Sequence, residues 1–87
     1  MSFEIRLSGH ARRQFKKLDR ETRDRIAGRL NQFSGDPRGF GTEKLAGNDA
    51  HYRNRVGEYR IVFEIHDAVL VLLVIRVGHR REVYRGD

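Results

Sequence analysis

The chain has 87 residues and a formal net charge of +6, with 18 Lys and Arg against 12 Asp and Glu. A chain of this length predicts one small domain, residues 1–87, with a small core. It has no cysteine, which excludes disulfides and thiolate metal sites and fits a cytoplasmic protein. No apolar run follows Met1, and the run from Val69 to Ile75 is far too short to span a membrane. We therefore expect neither a signal peptide nor a membrane association.

The basic residues are almost all arginine, since Lys16, Lys17 and Lys44 are the only lysines. Arginine suits bidentate contact with phosphate and does not titrate. The excess of positive charge favours a nucleic-acid partner or an acidic protein partner, and the two do not exclude each other. Charge alone also fits an ordinary soluble basic domain.

The first part of the chain predicts a strand followed by two helices. Phe3, Ile5 and Leu7 alternate with charged residues, which is the period of a half-buried strand. Ser8 and Asp19 are predicted to be the N-caps of the helices. The apolar stripes of the two helices consist of Ala11, Phe15 and Leu18 in the first, and of Thr22, Ile26, Leu30 and Phe33 in the second.

The second part predicts a loop and a meander of three strands. Gly and Pro in residues 34–37 end the second helix, and the Gly-rich segment 38–49 is predicted to be an irregular loop beside a site. Strands are predicted at about 51–56, 59–66 and 69–77. The last is apolar on both faces except for Arg76, which is typical of a central strand.

The first hairpin of this meander predicts a face that carries several arginines. With Gly57 and Glu58 as a two-residue turn, Arg55 pairs with Arg60. The apolar face, which should pack on the helices, holds Tyr52, Asn54, Val56, Tyr59, Ile61, Phe63 and Ile65. The opposite face, which we expect to be exposed, holds Arg53, Arg55, Arg60, Val62 and Glu64. Like charges directly opposite each other destabilise a sheet by roughly 0.2–1 kcal/mol. This face is therefore either an anion site or a mixed-charge surface on which Glu64 relieves the repulsion.

The residues after the last strand add polar groups that can lie near the arginines. Gly78 lets the chain bend, and His79, Arg80 and Tyr84 follow. Arginines around a phosphate, with a Tyr or His that moves a proton, form a phosphodiester-cleaving arrangement. Neighbouring guanidiniums lower the pKa of a tyrosine and make it a usable base. RNA supplies its own nucleophile, the 2′-hydroxyl, so neither a metal nor a cofactor is required, and the four histidines show no ligand spacing.

Three segments together resemble a known family. They are Lys44-Leu45-Ala46-Gly47, the stretch from Tyr52 to Ile65, and the stretch from Val77 to Tyr84. On these residues the chain resembles the RelE branch of the RelE/ParE toxin superfamily. The resemblance implies an α+β fold of order β-α-α-β-β-β, with the helical hairpin packed on one face of a small, mostly antiparallel sheet.

The resemblance also implies a function. It predicts the toxin of a type II toxin–antitoxin system, a cytoplasmic endoribonuclease that cleaves mRNA in the ribosomal A site by metal-independent attack of the 2′-hydroxyl. The implied partners are the message, the ribosome and a cognate antitoxin with an acidic, partly disordered segment that wraps the toxin. Operator DNA is contacted only through the toxin–antitoxin complex.

The same resemblance assigns roles to individual residues. Arg60 carries charge at the scissile phosphate, and Arg80 is a second phosphate and leaving-group residue. Tyr84 is the base for the 2′-hydroxyl or a stacking group, and His79, where a lysine is common in the family, can share the proton transfer. The RNA-binding residues are Lys44, Arg53, Arg55 and Arg81.

Two alternatives stay open at this point. A ParE-like toxin, which inhibits DNA gyrase by binding, has the same fold but does not need Arg60, Arg80 and Tyr84 in one site. A non-catalytic relative that binds RNA or protein keeps the charge without the chemistry. The joint presence of the three residues favours the nuclease.

Overall fold

The chain forms two helices packed on one face of a five-stranded mixed sheet, in a computed structural model that describes residues 2–39, 41–45 and 50–79. The elements are β1 (Glu4–Leu7), α1 (Gly9–Lys16), α2 (Arg20–Phe33), β2 (Glu43–Lys44), β3 (His51–Val56), β4 (Tyr59–His66), a 3₁₀ turn (Asp67–Val69) and β5 (Val71–His79). The strand order is β1-β5-β4-β3-β2, and only the β1–β5 pair is parallel. The predicted α+β class and the mostly antiparallel sheet are confirmed.

Both helices begin at the predicted N-caps. The Ser8 hydroxyl accepts a hydrogen bond from the Ala11 amide at 3.1 Å, and the Asp19 carboxylate accepts one from the Thr22 amide at 3.2 Å. Each cap satisfies a backbone N–H that has no partner within its helix. The two helices therefore start at fixed points and form the predicted hairpin.

The core lies between the helical hairpin and the sheet. Phe33 of α2 stacks on Phe63 of β4 with ring centroids 5.1 Å apart, and Tyr52 stacks on the same ring. The buried apolar residues of this layer are Ala11, Ile26, Leu30, Phe33, Val56, Ile61, Phe63, Leu72, Val74 and Val77. The apolar face predicted for the β3–β4 hairpin is therefore the face that packs on the helices.

The predicted hairpin register is confirmed, because Arg55 pairs with Arg60. Val56 pairs with Tyr59, Arg55 with Arg60, and the pairing continues to His51 with Glu64. Gly57 has a φ of +60°, a left-handed value that glycine adopts without steric cost. The two-residue turn thus fixes which side chains share each face.

Two features of the sheet differ from the prediction, and a third was not predicted. β5 begins at Val71 and not at residue 69, because the 3₁₀ turn and Leu70, with a φ of +54°, lengthen the connection. Residues Glu43 and Lys44, predicted to be part of an irregular loop, form the short edge strand β2. The sequence did not predict the partner of β1, which pairs in parallel with β5.

A β-bulge changes the direction of the side chains in the second half of β5. Val62 pairs with Arg76 while the next residue, Phe63, pairs with Val74, so Ile75 is the extra residue. Without the bulge, strict alternation from Val74 would point Arg76 at the helices. The bulge instead turns Arg76 to the outer face.

Candidate nucleic-acid interface

The outer face of the β3–β4 hairpin carries three arginines, which we call the arginine cluster: Arg53 and Arg55 on β3 and Arg60 on β4. Together with Gly41 and Glu43 they line a cleft of about 300 Å³. The strand alternation predicted this grouping, and the structure brings the three residues together. Gly41 and Glu43 belong to the Gly-rich segment 38–49, and these two described residues lie beside the site, as predicted for the segment.

Arg60 is buried, whereas the sequence predicted an exposed basic face. Its exposed fraction is 6%, and it is one of two buried polar residues among those the structure describes. An arginine is rarely buried without partners, and no buried side-chain N or O atom of the described residues lacks a hydrogen bond. Gly78, opposite Arg60 on β5, adds no side chain to this surface. The Arg60 side chain is therefore largely dehydrated, and a charge in such an environment interacts more strongly with an anion than one in water does.

Glu43 is the site residue that the sequence did not predict. Its Oε2 accepts hydrogen bonds from Nη2 of Arg53 at 2.8 Å and from Nε of Arg53 at 3.2 Å. These bonds, followed by the charges of Arg53, Arg55 and Arg60, lower the pKa of the Glu43 carboxyl. The pairing of Glu43 with Arg53 across β2 and β3 produces the contact, and no local sequence pattern indicates it.

Glu64, which we expected to relieve the repulsion among the arginines, interacts with histidines. Its Oε2 lies 3.2 Å from Nε2 of His51, and its Oε1 lies 2.9 Å from Nε2 of His66. Within the described residues, no group of three His, Asp or Glu side chains is arranged to hold a metal ion. Of the carboxylates in the described residues, it is Glu43 and not Glu64 that lies next to the arginine cluster.

Lys44 lies away from the arginine cluster. It pairs with Tyr52, whose ring belongs to the helix-facing side, while Glu43 pairs with Arg53 on the outer face. Lys44 is exposed at the sheet edge. Its side chain does not line the cleft of the arginine cluster.

Two polar contacts hold the segment that carries Gly41 and Glu43. Asn54, 1% exposed, accepts a hydrogen bond from Nη1 of Arg29 at 3.3 Å and donates one to the Thr42 hydroxyl at 3.2 Å. Arg38 makes two hydrogen bonds to Asp67, at 3.0 and 2.9 Å, and its guanidinium lies 5.6 Å from the Tyr52 ring centroid. The bonds with Asp67 raise the pKa of Arg38 and lower that of Asp67.

His79 does not lie beside the arginines, contrary to the prediction. It pairs with Tyr59 on the helix-facing side, with the two rings 5.8 Å apart in an edge-to-face arrangement, and its Nε2 lies 4.0 Å from Glu58. The bulge at Ile75 is the physical reason, because it sets the faces of the residues that follow. A cleft of about 640 Å³ between this strand end and the helical hairpin borders His79, Lys17 and Thr22.

The other predicted site residues, Arg80, Arg81 and Tyr84, lie outside the residues that the structure describes. In the part that it does describe, neither helix has the length and apolar character needed to cross a membrane.

Comparison with known families decides the class of the protein. The family model of the ParE toxin of type II toxin–antitoxin systems (parDE) matches residues 5–84. The chain belongs to this toxin family, within the RelE/ParE superfamily. A search of curated proteins finds no match.

Solved structures similar to this RelE/ParE toxin are RelE toxins. The complex RelBE2 from Mycobacterium tuberculosis is 23% identical, with a TM-score of 0.83, covering 92% of this chain and 100% of that chain. A free E. coli RelE with two arginines replaced by alanine is 27% identical, with a TM-score of 0.83, covering 98% and 93%. The intact E. coli RelBE toxin–antitoxin complex is 24% identical, with a TM-score of 0.81, covering 90% and 96%.

Family and structure together establish a type II toxin with the RelE fold. The family model carries the name ParE and the structural neighbours carry the name RelE, and these names belong to toxins of one superfamily. Fold does not determine the target of such a toxin, which has to be inferred from the chemistry of the site.

Proposed function

We propose that this toxin is an mRNA endoribonuclease that cleaves messages in the ribosomal A site and so inhibits translation. The observation that carries the proposal is Arg60, a buried guanidinium with two further arginines beside it on the same sheet face. A dehydrated cation next to the more exposed cations Arg53 and Arg55 suits cleavage of a phosphodiester, because it stabilises the charge that develops on the phosphorane.

The chemistry follows from the charge that the reaction develops. The 2′-hydroxyl oxygen attacks the adjacent phosphorus while a base takes its proton. A cyclic phosphate forms, the bond from phosphorus to the 5′-oxygen of the next nucleotide breaks, and that oxygen takes up a proton from water. Arg60 stabilises the additional negative charge on the phosphorane. Arg53 and Arg55 are two residues apart on one strand, about 7 Å, so they can hold neighbouring phosphates of an extended RNA strand.

The remaining roles rest on the resemblance to RelE toxins. We assign the second phosphate and leaving-group contact to Arg80, further RNA contacts to Arg81 and Lys44, and removal of the 2′-hydroxyl proton to Tyr84. Because the His79 ring packs against Tyr59 on the helix-facing side, we give it no share in the proton transfer. No step of this mechanism uses a metal ion or a cofactor.

We further propose that the toxin is neutralised in the cytoplasm by a cognate antitoxin with an acidic, partly disordered segment. Two of the similar structures are toxin–antitoxin complexes. The net charge of +6 attracts such a segment. Operator DNA is bound through this complex.

Primer extension on a defined message in a purified translation system tests the proposal. We expect cuts with the wild type and with Arg6→Ala, and none with Arg60→Ala. Arg6 is the matched control, because it lies on the same sheet face at the opposite edge and forms an ion pair with Glu4. Cuts that require a loaded ribosome support the A-site mechanism.

The second candidate is a ParE-like inhibitor of DNA gyrase, which the family model over residues 5–84 favours. In that case the message stays intact, growth still stops in cells, and supercoiling by purified gyrase is inhibited. Intact message without growth arrest would indicate a non-catalytic RNA- or protein-binding relative.

A further inference from the structure

The carboxylate of Glu43 binds Arg53 in the way that a phosphate does. One oxygen, Oε2, accepts from both Nη2 and Nε of the guanidinium, at 2.8 and 3.2 Å. Arginine presents the same pair of donors to carboxylates and phosphates. An incoming phosphate that uses this edge of Arg53 must therefore displace the carboxylate.

The positions of the two side chains make that displacement feasible. The Glu43 side chain is 59% exposed and lies on the edge strand β2, while the Arg53 side chain is 27% exposed and Arg60 is buried. Ion pairs between side chains this close to solvent are weak. The carboxylate can rotate into solvent and leave the arginines in place.

The charge of Glu43 also acts on the whole arginine cluster. Glu43 lines the same cleft as Arg53, Arg55 and Arg60. Its pKa is lowered, first by the hydrogen bonds from Arg53 and then by the charges of all three arginines, so it is ionised at neutral pH. Among the described residues that line this cleft, a single phosphate meets the negative charge of Glu43 together with the three positive charges of the cluster.

We propose that Glu43 is a built-in competitor for phosphate, which makes the arginine cluster select strands of several phosphates over a mononucleotide or free phosphate. A lone phosphate gains little by displacing the carboxylate. A strand binds Arg60 and Arg55 through one phosphate, and its next phosphate then reaches Arg53 at a high effective concentration. This inference rests on the proposed function and adds that the substrate must be a strand with more than one phosphate.

The salt dependence of binding measures this competition. Each phosphate that a protein neutralises on a single strand contributes a slope of about −0.7 to the dependence of log K on log salt concentration. In the wild type, the Glu43 carboxylate already neutralises Arg53, so Arg53 adds less than one full phosphate to the slope. Removing the carboxylate therefore increases the contribution of Arg53 to the slope.

The experiment is fluorescence anisotropy with a 2′-O-methyl RNA oligonucleotide, which cannot be cleaved, titrated with protein over a series of NaCl concentrations. The proteins are wild type, Glu43→Gln and the control Glu4→Gln. Glu4 is 60% exposed, forms an ion pair with Arg6, and lies on the same sheet face at the far edge of the sheet. Both variants change the net charge by the same amount.

We expect Glu43→Gln to bind several-fold more tightly than wild type at moderate salt, with a slope more negative by up to about 0.7. Glu4→Gln should follow the wild type. We will compare the phosphate concentration that displaces half of the oligonucleotide, corrected for the Kd of each protein for the oligonucleotide. This corrected concentration should be lower for Glu43→Gln than for wild type. Glu43→Ala is the second variant and should show the same changes, with circular dichroism as the check on folding.

The outcomes separate this inference from the proposed function. One outcome overturns the role of Glu43 and leaves the RNA site intact. In it, wild type and both Glu43 variants have the same salt slope and the same sensitivity to phosphate, while Arg60→Ala loses binding. If wild type does not bind the oligonucleotide, or binds it as well after Arg60→Ala, the RNA site is wrong and the competitor role falls with it.

Discussion

Arg55 and Arg60 lie directly opposite each other across the β3–β4 hairpin. The repulsion between two directly opposed cations destabilises the pairing of the strands. Arg60 is buried in addition, so its charge is poorly screened by solvent. The hairpin therefore holds together in spite of the residues that form its site.

Replacing Arg55 should stabilise the fold and weaken RNA binding. We expect Arg55→Gln to raise the free energy of unfolding by about 0.2–1 kcal/mol in low salt, with a smaller gain at 1 M NaCl because salt screens the repulsion. Urea unfolding at the two salt concentrations measures this. Arg12→Gln, on the exposed surface of α1, is the control and should show no such salt-dependent gain. A destabilised Arg55→Gln would contradict the prediction.

Asn54 should be essential for stability, because it joins α2, β3 and the segment that carries the site. Asn54→Ala leaves Arg29 and Thr42 without this partner, and the expected loss is about 1–3 kcal/mol in the free energy of unfolding. Asn31→Ala, the same change on the exposed surface of α2, should stay within about 0.5 kcal/mol of wild type. Chemical denaturation of both variants decides the matter.

Two glycines should respond with opposite sign to the same substitution. Gly57 has a φ of +60°, so Gly57→Ala should cost about 1–2 kcal/mol through backbone strain. A Cβ there would also come within 2.9 Å of Nη2 of Arg25, a flexible group that can move aside. Gly28 lies inside α2 with nothing within 4 Å of its added Cβ, so Gly28→Ala should stabilise by about 0.5–1 kcal/mol. Thermal unfolding of the two variants compares them, and equal shifts would be inconsistent with the turn conformation.

Cleavage should depend on Tyr84 and not on His79. A positioned base typically contributes about 10²–10⁴-fold to rate, so we expect Tyr84→Phe to slow cleavage by that order. His79→Gln should keep most of the activity, because the His79 ring packs against Tyr59 on the helix-facing side. Single-turnover cleavage in the translation system provides the rates. A larger loss with His79→Gln than with Tyr84→Phe would reverse the assignment of the base.

Acid should destabilise the protein through three carboxyl groups. Hydrogen bonds from Thr22, Arg53 and Arg38 lower the pKa values of Asp19, Glu43 and Asp67, respectively. Each of these groups has a lower pKa in the folded state than in the unfolded chain, so it stabilises the fold when it is ionised. This contribution is complete at pH values above the ordinary pKa, 3.8 for Asp and 4.5 for Glu, and it is lost as the pH falls through the lowered folded-state pKa.

The urea midpoint should accordingly fall as the pH drops from about 4.5 towards 2. Glu43→Gln removes one of the three groups and should make that decline shallower, whereas Glu4→Gln, whose ion pair lies at the other edge, serves as the comparison. Identical acid profiles for wild type and Glu43→Gln would show that the bond to Arg53 does not contribute to stability.

The sequence predicts the hairpin and the helix starts because their signals are local. Gly57 and the alternation around it are enough to place Arg53, Arg55 and Arg60 on one face, and Ser8 and Asp19 act on amides only three residues away. In these places the preferences of neighbouring residues and the final fold agree.

The position of His79 could not be predicted, because it depends on a bulge within an apolar run. β5 is apolar on both faces, so its sequence has no alternation that would show where Ile75 breaks the pairing. Glu43 escaped prediction for a different reason. It lies in a Gly-rich segment, and only the pairing of two residues at the sheet edge brings it to Arg53.

The position of β5 between β1 and β4 has a consequence for the timing of folding during synthesis. β1 is made first, yet its partner in the sheet is the last described strand. A nascent chain that ends before residue 71 lacks the strand that joins both sides of the sheet, so its arginines have no rigid support. Contacts between such distant segments form late in folding. The ribosome that makes this toxin therefore finishes almost all of the described chain before a folded toxin can exist.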